Sequence, residues 1–564
     1  MTAVLRVHLV CIALAACLPY LNALSNDFAF DDHGLIGKNR IVQQLDLTAM
    51  FTQDYWAGYT EEASGLYRPL TLLSFGLEYA LVGAQPRFYH LNNILLHLCI
   101  CLLIYCLIGQ LFDPATALLT ALLFAVHPVH TEAVTGIAGR ADLLSSALVL
   151  TALLCSIYVR LHHRARLQYF SVLPFALALL CKEQAVILPV LLAIVDLFLW
   201  RKGRVPRWFF GEYGAHIATI GLYLSGRWIV LKGLLVSRIE FLDNPLIALP
   251  LDLRALNAFD ISFKYLQLLI FPHQLSADYS FASIPLTQSH TGLGIIGALA
   301  ILGASALITR SFFRQPSAWS FAAVWFAACF ALVSNIVVPI GTIMAERLLY
   351  LPSLGFALLA AQLLLHLSTR KTWKLWCALL LLLYAGRTWT RNQDWHNNET
   401  LFAATVELYP NNVKALQGLG TALAARGAWN EAISTYRRAL AVYPQADEVY
   451  YHLGLALWPL NRHSEALQAF QQTIALRPDY AEAHLNAGAT YHKLGRLDKA
   501  LASYLKAVEL KPSYWSSWQN LADTYRELGH NTEAASAYLH LLELVPDHPK
   551  RAAIETWLDA LTPP

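Results

Sequence analysis

Charge is the scarcest feature of this 564-residue sequence: 14% of residues are Asp, Glu, Lys or Arg, and the formal net charge is +3. An average soluble protein carries roughly 25% charged residues. A near-neutral chain without a basic block offers nothing to a nucleic-acid backbone, so no nucleic-acid partner is expected. There is no Walker sequence and no glycine-rich nucleotide loop, which removes the usual signs of ATP use. Nine cysteines occur, all in or beside apolar runs (Cys11, Cys17, Cys99, Cys101, Cys106, Cys155, Cys181, Cys329 and Cys377) and none after residue 390. No CxxC with partner ligands exists, so neither a disulfide framework nor a zinc site is indicated.

What the chain has in quantity is apolar sequence, 56% of residues, unevenly spread. Long hydrophobic runs dominate to about residue 390. A bilayer core about 30 Å thick needs roughly 20 such residues per helix. Eleven runs are candidate spans: about 4–22, 90–111, 114–130, 133–159, 167–181, 184–200, 208–232, 291–309, 317–340, 348–368 and 373–389. A twelfth apolar stretch, 260–277, is interrupted by Lys264 and ends in Pro272-His273; it reads as a span, a re-entrant piece or an interfacial helix. Residues 1–25 also have the order of a signal peptide, but ten further spans need no such address. Basic residues gather at Arg160, Arg164 and Arg166, at Arg201, Lys202, Arg204 and Arg207, at Arg370, Lys371 and Lys374, and at Arg310 and Arg314. With a cytoplasmic N-terminus and 260–277 not crossing, all four groups fall on the cytoplasmic side. The external loop 23–89, the turns at 127–132, 182–183 and 346–347, and everything after residue 390 then share the opposite face.

Beyond residue 390 the pattern changes to a 34-residue period. Pro410, Pro444, Pro478, Pro512 and Pro546 keep it, as do Ala432, Ala466, Ala500 and Ala534, and Gly420, Gly454, Gly488 and Ala522. A small residue in a first helix, Ala in a second and Pro at the turn is the tetratricopeptide signature. The expected organisation is a membrane domain over 1–390, a linker and half-repeat over 391–411, four repeats over 412–545 and a C-terminal cap over 546–564. Stacked repeats present a concave surface. Tyr451, His484 and Trp515 are candidates to meet a partner there, although aromatics in first helices are also ordinary packing.

Ionisable groups at a membrane are costly and mark candidate sites. Asp31 and Asp32 follow the first span and could supply a general base with an orienting or metal-binding neighbour; an ordinary solvated acidic pair is the alternative. Arg68 suits a phosphate, and the ring of Trp56 suits a sugar or lipid. His90 opens the second span. His127, His130 and Glu132 share a turn and could be metal ligands or simply hydrogen-bonded turn residues. Arg140 and Asp142 lie inside a predicted span and need partners. Lys182-Glu183 and Glu346-Arg347 set opposite charges side by side, either as structural pairs or as groups that neutralise a lipid phosphate. Their shared face describes a wet, charged cavity. A lipid-linked phosphosugar would need a carboxylate to activate an acceptor hydroxyl and cations for the departing phosphate.

As a set, Phe30-Asp-Asp-His33, Asp54-Tyr-Trp56, Tyr67-Arg-Pro-Leu-Thr71, Tyr89-His-Leu-Asn92, His127-Pro-Val-His-Thr-Glu132, Gly139-Arg-Ala-Asp142, Lys182-Glu183 and Glu346-Arg-Leu-Leu-Tyr-Leu-Pro352 resemble the transmembrane and tetratricopeptide repeat-containing proteins. Those are related to the protein O-mannosyltransferases of the multi-spanning GT-C type. The resemblance implies an all-α fold: a polytopic GT-C-like membrane domain followed by a tetratricopeptide solenoid. It implies glycosyl transfer, of mannose, from a polyprenyl-phosphate donor to a Ser or Thr hydroxyl of a protein acceptor held in the repeat groove. Asp31 or Asp32 would be the base. Arg68, His90, His130, Glu132, Arg140, Asp142, Lys182, Glu183, Glu346 and Arg347 would bind donor phosphate or sugar, and Trp56, Tyr451, His484 and Trp515 acceptor or partner. Some such enzymes use a divalent metal and others do not, which leaves a divalent cation open as cofactor. The expected location is a bacterial inner membrane with periplasmic repeats, or the endoplasmic reticulum with lumenal repeats. The competing readings are a membrane-anchored repeat scaffold and a transporter or ligase of lipid-linked glycans.

Overall fold

Away from water a backbone must satisfy its own N–H and C=O groups, so the apolar runs have to fold as helices. The computed structural model describes residues 3–60, 64–162, 167, 169–204, 210–233, 239–287, 292–336, 338–367 and 372–561, which contain helices and no strand. Of the basic residues named above, Arg164, Arg166, Arg207, Arg370 and Lys371 lie outside the described residues. The chain divides into two units, Met1–Tyr409 and Pro410–Pro564.

In the first unit, four described helices are long and apolar enough to cross a membrane: Ala3–Ser25, Pro86–Leu111, Ile137–Leu161 and Glu183–Arg201. A fifth candidate is the pair Pro114–Val126 and Pro128–Val134, bent by 54° at His127. Local sequence sets these ends. Asp113 accepts the amides of Ala115 and Thr116 at 3.0 Å, and Pro114 opens the helix with a ring that needs no donor. The expected span 133–159 is broken. Glu132 sits in a short helix, a single 3-10 turn follows, and the long helix begins only at Arg140. Gly136 and Gly139 permit that break: an added Cβ would lie 2.6 Å from Glu132 O and 2.3 Å from Ala133 O respectively. The helices Val172–Cys181, Ala318–Ala331 and Ser353–His366 are shorter than the runs that contain them. The stretch 260–277 forms the end of a helix, Leu251–Ile270, and then an irregular segment.

The segment 23–89, expected as a loop, is a small helical layer with its own core. Phe28, Leu35, Ile36, Val42, Met50, Tyr55, Leu72, Phe75 and Tyr89 pack together in it, and it includes the apolar helix Pro69–Val82. Arg160 is not the loop cation that the sequence suggested. Its guanidinium is fully buried and paired with Asp196 and with Glu212, the latter at 2.6 Å. A buried Arg between two carboxylates is far costlier to unpair than an exposed one, so it belongs to the helix packing.

The second unit is a run of helix pairs: Val413–Ala425 with Trp429–Val442, Asp447–Leu457 with His463–Leu476, Ala481–Lys493 with Leu497–Leu510, and Trp515–Glu527 with Asn531–Leu544. Arg551–Leu561 follows them and buries Ile554 against the last pair. The periodic glycines are where paired helices touch. A Cβ on Gly454 would stand 2.5 Å from the Phe470 ring, and Gly420 and Gly488 face Tyr436 and Tyr504 in the same way. Gly454→Leu should therefore cost about 1–3 kcal/mol by overpacking, read as a lower unfolding midpoint of the repeats by circular dichroism. An unchanged midpoint would mean that the pair is not packed through this glycine.

Candidate functional site

The turn between the first helix and the helical layer is built on its two acidic residues, and the two are not equivalent. Asp32 is buried; its Oδ1 accepts the Ala138 amide at 2.8 Å and its Oδ2 the Ala29 amide at 3.2 Å. Its own amide donates to Ala29 O at 3.1 Å, closing the turn. Burial pushes the Asp32 carboxyl up to about 7 despite those two amides, with Asp31 adding to the rise. Asp31 is partly exposed and interacts electrostatically with Arg347 and Tyr55. Asp32 thus holds the turn, and Asp31 is the carboxylate presented beyond it.

Around Asp31 the charges pair across long sequence distances. Arg68 donates to Glu183 through Nη2 at 2.6 Å and Nε at 3.0 Å. Lys182 Nζ donates to Asp142 at 2.6 Å. Arg347 donates to Glu132 through its guanidinium and, at 2.9 Å, through its backbone amide. Neither sequence-adjacent pair, Lys182-Glu183 or Glu346-Arg347, is an ion pair. Lys182 has an extended backbone (φ −158°, ψ 137°), and consecutive side chains on extended backbone point to opposite sides. Asp31, Glu132, Asp142 and Arg68 all act on Arg347, so these groups form one charged neighbourhood. Arg347 is its most accessible cation, with 30% of its side chain exposed against 14% for Arg68 and 4% for Lys182.

Other candidates are placed differently. Arg140 is buried and bonded through each of its three guanidinium nitrogens, with Glu78 and Asn93 (2.9 Å) by side chain and with Tyr89 O at 3.0 Å. His90 is buried beneath the backbone of Asn26, Asp27 and Thr135. His127 bonds Leu269 O at 2.9 Å, and His130 bonds the Ser353 hydroxyl at 2.8 Å. With Glu132 turned to Arg347, these three residues diverge. Among the described residues no group of three or more His, Cys, Asp or Glu side chains is placed to hold a metal ion. Trp56 packs beside Gly34 and edge-on to Tyr55 at 5.8 Å. In the repeat unit, Tyr451 accepts from Asn486 at 3.1 Å, His484 bonds Pro478 O at 2.9 Å, and Trp515 is exposed.

Glu346 faces away from its neighbour Arg347. Its Oε1 accepts from the Ser276 amide at 2.5 Å and the Tyr279 hydroxyl at 2.7 Å. Burial pushes its carboxyl up to about 7 against the pull of Arg391. A carboxyl whose folded pKa is raised holds a proton that the unfolded chain releases. Its stabilising contribution is full below the ordinary glutamate range, about 4.3, and is lost as pH rises through about 7; Asp32 has the same sign. The thermal midpoint in detergent should fall between pH 5.5 and pH 8.5, and Glu346→Gln should flatten that slope. A slope equally steep in the variant would mean that Glu346 takes up no proton.

Two residues near the site escaped sequence reading. Glu78 is the one acidic or basic side chain in the apolar helix Pro69–Val82, a signal that was there to be used. Arg391 is buried at the end of the helix Trp373–Asp394 and bonds Asp394 at 2.9 Å. It lies just beyond the expected end of the last span at 389.

The sequence of this charged layer and its helices matches known families. Residues 69–225 match the model described as dolichyl-phosphate-mannose-protein mannosyltransferase. Residues 238–306 match the model described as protein O-mannosyl-transferase TMTC, DUF1736. Tetratricopeptide models match 391–447, 418–479, 451–514 and 503–535. The chain belongs to the transmembrane and tetratricopeptide repeat-containing family. Among its relatives, the mouse (Mus musculus) protein O-mannosyl-transferase TMTC3 is 31% identical over 475 residues, 77% of this chain and 50% of that one. The Caenorhabditis elegans protein O-mannosyl-transferase F38B6.6 is 32% identical over 432 residues, covering 75% and 61%. The Drosophila melanogaster Tmtc3 is 30% identical over 505 residues, covering 76% and 54%. The chain spans about half the length of the first of these relatives. Among solved structures, the crystal structure of MamA is 29% identical, with a TM-score of 0.25, over 27% of this chain and 88% of that one. In this chain a multi-pass helical membrane domain precedes a tetratricopeptide solenoid.

Proposed function

We propose that this protein transfers a sugar, mannose, from a polyprenyl-phosphate donor to a hydroxyl of a protein acceptor, on the membrane face opposite the cytoplasm. The observation that carries the reading is the partly exposed Asp31, in electrostatic interaction with the accessible guanidinium of Arg347, on a turn that Asp32 anchors. The names of the matching models and relatives support the same chemistry. Asp31 accepts the proton of the acceptor hydroxyl as its oxygen bonds to the anomeric carbon. The bond from that carbon to the phosphate oxygen breaks, and polyprenyl phosphate leaves as an anion. Arg347 is the cation best exposed to receive it, and Arg68 stands behind; charge that develops in the transition state is where such donors contribute most. Glu132 holds Arg347 and Glu183 holds Arg68, and Asp142 and Lys182 pair with each other in the same charged neighbourhood. Glu346, His90 and His130 belong to the buried frame rather than to the donor's first contacts.

The expected eleven crossings, with a cytoplasmic N-terminus, set this layer and the repeats on the external or lumenal side. The acceptor is bound in the repeat groove, where Trp515 is the most exposed of the three aromatic candidates. Purified protein incubated with polyprenyl-phosphate sugars and Ser/Thr peptides should glycosylate peptide from the mannose donor. No transfer from any donor in the panel would remove the enzymatic reading and favour a repeat scaffold.

A further inference from the structure

Phe30, the residue before Asp31, has a left-handed backbone with φ 55°. For a bulky L-residue that conformation costs about 1–2 kcal/mol; it persists where the surroundings impose it, and such positions cluster at functional sites. The surroundings here come from the far end of the membrane unit. The Phe30 amide donates to Asn398 Oδ1 at 2.6 Å, and its ring meets Phe402 edge-on at 5.8 Å. The preceding residues are tied to the same region: the Asp27 amide donates to His396 O at 2.9 Å, and Asn26 Nδ2 to Asn392 O at 2.9 Å. Ala29 packs with Trp395, Leu401 and Ala277. Asn398 and Phe402 lie on the helix Asn398–Leu408, which a tetratricopeptide model covers (391–447) but which packs within the membrane unit.

We propose that this half-repeat helix serves the carboxylate, with Asn398 and Phe402 as positioning residues that hold Phe30 left-handed and so fix the direction of Asp31. The inference rests on the reading of Asp31 as the base. A turn whose first inner residue is left-handed normally takes Gly, Asn or Asp there; Phe needs an external hold, and Asn398 supplies the acceptor. Without it Phe30 relaxes toward negative φ, and Asp31 turns away from the reacting hydroxyl while the cations that meet the donor stay where they are. The loss falls on kcat and leaves the donor KM unchanged, whereas general unfolding would lower the active fraction without a rescue of the following kind.

Glycine adopts the left-handed conformation unaided, so Phe30→Gly should restore what Asn398→Ala removes. In full-length protein, Asn398→Ala should lower kcat about 10-fold, with the KM for polyprenyl-phosphate mannose within twofold. The double variant, Asn398→Ala with Phe30→Gly, should recover at least half of the loss on a logarithmic scale. Hydrogen exchange across residues 27–35 should quicken about 10-fold in Asn398→Ala, a reading that needs no turnover. Unchanged kcat in Asn398→Ala, a double variant no better than the single, or unchanged exchange would each overturn the proposal. If the wild type transfers no sugar, the base reading of Asp31 fails instead, and the exchange result alone decides whether Asn398 holds the turn.

Discussion

Asp31→Asn should lower sugar transfer by roughly 10²–10⁴-fold, the usual contribution of a positioned general base, while the protein keeps its thermal midpoint. Asn occupies nearly the same volume and can still accept a hydrogen bond, but it takes up no proton from an acceptor hydroxyl. The side chain is partly buried and acts on Arg347, and the isosteric amide keeps one acceptor oxygen in that place. Asp32→Asn should behave in the opposite way. An amide in that place points an NH₂ at one of the two backbone amides, Ala29 or Ala138, that the carboxylate accepts. A buried donor left facing a donor costs about 1–3 kcal/mol, so Asp32→Asn should lower the midpoint, and its residual activity should follow the fraction folded. Transfer of labelled mannose to a peptide, measured beside scanning fluorimetry for both variants, separates the two. Wild-type turnover in Asp31→Asn would sink the assignment of the base. A stable Asp32→Asn that has lost turnover would move that role to the second carboxylate.

The readable parts of this protein were those with a long period or a long run. The 34-residue register placed the repeats because Gly420, Gly454 and Gly488 each have an aromatic ring against them, an approach that selects small residues, with Ala522 in the same position of the fourth repeat. The left-handed turn residues Gly427, Asn461, Gly495 and Gly529 keep the same register. The membrane helices were readable as runs but not as lengths. An apolar count does not see that the 133–159 run breaks around Gly136 and Gly139, or that a run continues past its helix at Ala331. The set of charged residues was legible because ionisable side chains stand out in apolar sequence; their partners were not. Lys182 meets Asp142, 40 residues away, and Arg347 meets Glu132, 215 residues away. Adjacency misled because neighbouring side chains in extended or 3-10 segments diverge. The left-handed Phe30 had no local signal at all, since the residue that imposes it lies 368 positions further on.

Glu78→Ala should destabilise the protein by about 3–5 kcal/mol, because it leaves the Arg140 guanidinium buried without its carboxylate. The pair sits where several links of the site converge. Arg140 also donates to Asn93 Oδ1 at 2.9 Å, and Asn93 Nδ2 in turn reaches the carbonyls of Val134 and Gly136 at 3.3 Å. Two residues before Arg140, the Ala138 amide holds Asp32; two residues after it, Asp142 holds Lys182. With each guanidinium nitrogen bonded inward, to Asn93, Glu78 and Tyr89, Arg140 is placed to frame the site rather than to meet the donor. Replacing both partners by apolar residues of similar size, Glu78→Leu with Arg140→Met, avoids the orphaned charge and should recover more than half of the midpoint lost in Glu78→Ala. The folded double variant then decides the role of Arg140. With Arg140 as frame, the KM for polyprenyl-phosphate mannose should stay within about threefold of wild type, since Arg347 and Arg68 are untouched. A rise of 10-fold or more, roughly the 1.4 kcal/mol that a tenfold change represents, with the midpoint restored, would return Arg140 to the donor's phosphate.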